Sequence, residues 1–231
     1  MAPVLQPADK TAAGFTFYHG YLSVVYGLIA TDGLDLLVKV NERQFGVPPS
    51  VLLFLGVLVI GLHFWFICST VDESSHRFYR AFAGDRWAYI FFFVDAIVAT
   101  SFAWLVLAMF HGISSRRDLL FPWFLVAAGV SLAYDLYSRV LASAGHKRAT
   151  TREDSPAIIS SYSTTVNCWL IQDSVFFLGA LLLYVLDKYE SWPGHGLDVC
   201  FVLVSIGVLV LDVKFLPDSM GDTGRVGQFP N

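Results

Sequence analysis

Long apolar runs alternate with short polar breaks along most of this chain. The cleanest run covers residues 51–71, in which His63 is the main ionisable group. Residues 88–110 follow, interrupted by Asp95, and residues 119–140 are apolar apart from Asp135 and Arg139. Residues 166–186 carry Gln172 and Asp173, while residues 197–216 open with Asp198 and close with Asp212 and Lys214. The first run, about residues 16–40, is the most polar because Asp32 and Asp35 lie inside it. About 20 apolar residues cross a hydrocarbon core of about 30 Å, so each run predicts one membrane-spanning helix. The expected fold is an all-α polytopic membrane protein: six transmembrane helices in one domain, residues 1–216, and a flexible tail, residues 217–231.

Composition supports a lipid-facing chain. Of 231 residues, 55% are hydrophobic and 15% charged, where a soluble domain carries about 25% charged residues. Too little polar surface remains to cover a globule in water, and disorder or a coiled coil is excluded with it. Cys68, Cys168 and Cys200 stand far apart and read as small apolar packing residues, which excludes a disulfide scaffold. A net charge of −4 without a basic tract excludes a nucleic-acid partner.

Orientation follows from Lys and Arg. Lys10, Arg77, Arg80, Arg86, Arg139, Lys147, Arg148, Arg152, Lys214 and Arg225 fall on one side, ten in all. Lys39, Arg43, Arg116, Arg117 and Lys188 make five on the other. That excess predicts both termini in the cytoplasm. The first fifteen residues lack a signal-peptide pattern, and Met-Ala at the start excludes myristoylation. The expected location is the plasma (cell inner) membrane, multi-pass. Trp87, Trp123 and Trp169 sit near span ends, where the indole ring suits the interface.

The two longest breaks face the cytoplasm in this topology. Residues 72–86 mix Arg77 and Arg80 with Phe78, Tyr79 and Phe82, the pattern of a short interfacial helix on anionic lipid. Residues 143–165 are rich in Ser, Thr and Ala, carry His146, Lys147 and Arg148, and read as a mobile connector. Arg77, Arg80, Lys147 and Arg148 are the candidate contacts to lipid headgroups or to a soluble cytoplasmic partner.

One internal echo stands out. Gly27, Thr31, Asp35 and Lys39 recur every four residues, as do Ala127, Ser131, Asp135 and Arg139. Each set places two small residues, an acid and a base on one helix face. The echo fits an inverted repeat of spans one to three and four to six. It equally fits the ordinary small-and-polar packing stripe of membrane helices, and the other spans do not match in pairs.

Candidate chemistry lies with the acids inside the spans. An Asp at a helix centre costs about 2.5–3.5 kcal/mol, so such acids face the protein interior or a wet cavity. His63, Asp95, Asp135 and Asp173 all fall about 8–12 Å inside the cytoplasmic boundary of their spans. With Asp32 and Asp35 they form the candidate ion or proton path. Carboxylates suit hard cations, and an imidazole takes a proton near pH of about 6.5. The expected function is an ion or proton channel or small transporter, assembled as a homo-oligomer in the bilayer, without cofactor, metal or enzymatic activity. Two alternatives stand beside it. One is a membrane anchor or sensor subunit whose acids only lock helices, Asp135 with Arg139 and Asp35 with Lys39. The other is an intramembrane metal-dependent enzyme using His63 with Asp95 or Asp173. A haem-binding histidine pair, a voltage-sensing Arg series, a Gly-x-Gly-Asp protease motif, a potassium filter and a phosphate-cradling glycine loop are all missing from the sequence.

Overall fold

The computed structural model describes residues 10–41, 49–83, 85–115, 119–148, 155–189 and 196–221. Among these residues the protein is all-helical: α1 (Lys10–Asn41), α2 (Pro49–Ala83), α3 (Asp85–Ser115), α4 (Leu120–Arg148), α5 (Ser155–Tyr189) and α6 (Gly196–Gly221). Five of them, α2 to α6, are long and apolar enough to cross a membrane, with stretches such as Val51–Cys68 and Gly196–Lys214. The chain therefore has the build of a multi-pass membrane protein. The first helix, which carries Asp32 and Asp35, is not among the five.

Helices run further than the apolar pattern indicates. Residues 72–83, expected as part of a loop, continue α2 without a break, since no Gly or Pro interrupts them. The expected connector at residues 143–165 is also mostly helix, because α4 continues to Arg148 and α5 begins at Ser155. Pro156 sits in the first turn of α5, where its missing N–H breaks no helical bond. In the expected tail, residues 217–221 belong to α6, and residues 222–231 lie outside the described residues.

Helices consecutive in the chain alternate in direction, and α2 is central, packing on α1, α3, α5 and α6. Two tight approaches mark the packing. Gly56 of α2 receives the ring of Phe201 from α6, and a Cβ on Gly33 of α1 would stand 2.9 Å from the Phe110 ring of α3. The buried core is aromatic. Phe64 stacks on Phe102 at 4.3 Å between ring centres, and Phe124 meets Phe176 at 5.3 Å and Phe201 at 4.9 Å. A second buried cluster, Phe78, Ala142, Ile159, Tyr162 and Val166, closes the end where α4 finishes and α5 begins. Large apolar side chains such as Leu28, Phe93, Val140, Ile171 and Leu203 cover the outside, the arrangement a bundle needs in contact with lipid.

Candidate functional site

Between the two aromatic clusters lies a buried polar layer built from four helices. His63 on α2 is fully buried, and its Nδ1 stands 2.5 Å from Oδ2 of Asp212 on α6. Gln172 on α5 donates from Nε2 to the other oxygen, Oδ1, of the same carboxyl. Asp212 thus accepts one hydrogen bond on each oxygen, which fits an ionised carboxylate with the hydrogen on His63 Nδ1. His63 Nε2 has no hydrogen-bond partner. Its ring lies against Phe64 and Phe176, at 5.1 and 5.4 Å between ring centres.

The next residue on α5, Asp173, takes a hydrogen bond from Ser131 Oγ of α4 on its Oδ2 and meets the carboxyl of Asp135. A hydrogen bond between two carboxyls requires one of them to carry the proton, so this pair shares at least one. Asp173 also lies within electrostatic reach of His63 and Asp212, which joins the two pairs into one layer. Asp95 sits on the α3–α4 seam, where Tyr134 O–H donates to its Oδ1 at 2.6 Å.

Of the sequence candidates, His63, Asp135 and Asp173 come together, while Asp95 on α3 accepts a hydrogen bond from Tyr134 of α4. Asp32 and Asp35 do not join them: both are exposed on α1. Their end of α1 adjoins Phe110, on the far side of the aromatic core from Asp173. The proposed local pair of Asp135 with Arg139 gives way to contacts across the α4–α5 seam, because Arg139 Nη1 donates to Ser163 Oγ at 2.7 Å. Lys39 lies outside the residues whose side chains are described, as do Arg77, Arg80, Lys147 and Arg148.

Sequence reasoning did not place Asp212 in the site. It stands near the end of the apolar run, but α6 continues to Gly221, which puts Asp212 well inside a helix. Gln172 was visible as an amide beside a buried acid, and Ser131 as a member of the four-residue stripe.

Among the described residues no three His, Cys, Asp or Glu side chains converge as a metal site would require. Lateral grooves open on the outside of the bundle among the described residues. One of about 830 Å³ runs between α1, α3 and α4, past Tyr21, Thr100, Trp104 and Trp123. Another, of about 340 Å³, is lined by Tyr26, Gly27, Gly61 and Trp65. Neither is lined by a residue of the polar layer. No family model matches the chain, and no curated protein or solved structure is similar to it.

Proposed function

We propose that this chain conducts protons across a membrane through its buried polar layer. The observation that carries the reading is that consecutive residues of α5, Gln172 and Asp173, engage the His63–Asp212 pair on one side and Ser131 of α4 on the other in the bundle core. In this scheme His63 Nε2 accepts a proton, and the imidazolium is stabilised by Asp212, which Gln172 holds in place. The shared proton of the carboxyl pair then supplies a second station one helix away. A proton is favoured over a metal cation because both oxygens of Asp212 and Oδ2 of Asp173 already accept hydrogen bonds. A cation at Asp212 and Asp173 would have to displace His63, Gln172 and Ser131.

The accompanying topology is six spans with both termini in the cytoplasm of a cell inner membrane. Support for α1 as a span comes from its packing: Tyr21 meets Thr100 and Gly33 meets Phe110, both inside the apolar stretch Phe93–Ile113 of α3. A homo-oligomer is part of the proposal, because Ser23, Gly27, Thr31 and Asp35 leave a small and polar stripe exposed on α1.

The test is proton flux into liposomes loaded with a pH-sensitive dye, with the membrane potential clamped by potassium and valinomycin. The wild-type protein should dissipate an imposed pH gradient, and Asp173→Asn should slow it by at least about tenfold, as loss of a positioned proton-transfer group does. Wild-type vesicles no leakier than empty ones would end the proton reading.

One observation favours a second reading, a membrane anchor or sensor that docks a soluble partner. The helix α2 continues to Ala83, past its apolar run of residues 51–71, and carries Arg77 and Arg80 on that extension. Silent flux together with a co-purifying soluble protein that Arg77→Glu releases would support it.

A further inference from the structure

The polar layer continues beyond the Asp135–Asp173 pair. Towards the start of α4 it abuts the packed rings of Phe64, Phe102, Phe124 and Phe176. Towards the end of α4 it meets Ser138, whose side chain is fully buried and whose Oγ has no hydrogen-bond partner. Ser138 stands three residues after Asp135, so the two side chains are neighbours on the α4 surface, about 5–6 Å apart at Cβ. Asp135 Oδ2 likewise receives no hydrogen bond from a donor group. One residue further, Arg139 reaches across to Ser163 of α5, half-buried at the edge of the bundle.

A buried hydroxyl is a donor and an acceptor at once, and leaving it unmatched costs about 1–3 kcal/mol. Buried waters occupy such places when two or more polar groups converge, each water making about three hydrogen bonds. We propose that Ser138 Oγ and the Asp135 carboxyl hold one ordered water, and that this water is the release site of the proton. The water accepts the proton from the Asp135–Asp173 pair, with Ser138 Oγ accepting a hydrogen bond from it. The proton then leaves along the α4–α5 seam past Arg139 and Ser163. The other seam residues at this level, Ile159, Tyr162 and Val166, are buried beside Phe78 and Ala142, so the polar route runs alongside an otherwise apolar closure. This step rests on the proton-conducting reading above, but its physical content, a water bound at Ser138, can be checked separately.

Two measurements test it on the full-length protein. The first is infrared difference spectroscopy of the reconstituted protein in D₂O between acid and neutral pH. An isolated internal water gives an O–D stretching band that moves when the solvent is made with ¹⁸O. That band is expected in wild type and in Ser138→Thr, which keeps the hydroxyl, and should be lost in Ser138→Ala. No ¹⁸O-sensitive band, or one that survives in Ser138→Ala, overturns the water site whatever the flux does. The second is liposome flux, where Ser138→Ala should lower the rate by about tenfold, the equivalent of one lost hydrogen bond in the path, and Ser138→Thr should restore it. A Ser138→Ala protein that folds and conducts like wild type overturns the release site while leaving the conducting reading intact. A wild-type protein that carries the band yet conducts nothing ends the conducting reading and the release role together.

Discussion

His63 Nδ1 and Asp212 Oδ2 meet at 2.5 Å across the bundle, although the two residues stand 149 positions apart in the chain. The contact joins the two parallel helices α2 and α6, which Gly56 lets approach at Phe201 two turns away. With Gln172 on the other carboxyl oxygen, three helices converge on one acid. An interhelical hydrogen bond in lipid contributes about 0.6 kcal/mol on average and up to about 1.7 kcal/mol. The larger figure applies here, because removing one partner strands the others in a dry core.

A double-mutant cycle measures this coupling. His63→Phe and Asp212→Leu should each destabilise the protein, and the double substitution should cost less than their sum by about 1 kcal/mol or more. Unfolding of the micelle-embedded protein, followed by circular dichroism in a denaturing detergent series, reads the three variants. Effects that add to within about 0.3 kcal/mol would mean that the pair is not coupled.

Glycine positions separate close packing from helix propensity. Gly56→Ala puts a methyl group into the ring of Phe201, whereas a Cβ on Gly207 of α6 meets nothing within 4 Å. Overpacking a helix contact costs about 1–3 kcal/mol, so Gly56→Ala should lower the melting temperature. Gly207→Ala should hold or raise it, since Ala is preferred to Gly in a helix by about 1 kcal/mol. Equal melting temperatures for the two variants would show that α2 and α6 do not approach as described.

How far this was legible beforehand can be judged from particular residues. Five apolar helices and the buried places of His63, Asp135 and Asp173 followed from run length and the cost of charge in lipid. Helix ends did not, because residues 72–83 are polar yet contain no breaker, and hydropathy measures lipid contact rather than helicity. Asp212 was missed for the same reason, its helix outlasting its apolar run. Partners were not legible either: four-residue spacing brings Asp135 and Arg139 onto one face, but each finds a partner on α5 instead. Spacing along one helix carries no information about what the next helix presents.

The Tyr134–Asp95 bond should serve mainly to hold the α3–α4 seam. Tyr134→Phe keeps the ring and removes the O–H that donates at 2.6 Å to Asp95. Loss of a hydrogen bond to a buried carboxyl should cost about 1–3 kcal/mol. Thermal denaturation in detergent reads that loss, and Tyr134→Phe with wild-type stability would show that Asp95 is satisfied without it.

The four-residue echo between α1 and α4 offers the sharpest comparison, because the same spacing ends in opposite environments. Ala127, Ser131 and Asp135 are buried in the bundle, whereas Gly27, Thr31 and Asp35 are exposed on α1. Thr31 turns its hydroxyl back to the carbonyl of Gly27 at 2.9 Å, a bond within its own helix, while Ser131 donates across to Asp173. Matched substitutions should therefore behave differently. Ser131→Ala strips a donor from a buried carboxyl and should cost about 1–3 kcal/mol, while Thr31→Ala should stay within about 0.5 kcal/mol of wild type, as surface changes do. Asp135→Asn should slow proton flux by at least about tenfold, and Asp32→Asn should leave it within about twofold of wild type, since a surface residue off the path contributes no transfer step. Equal losses of flux from Asp135→Asn and Asp32→Asn would move the path out of the four-helix layer and onto α1.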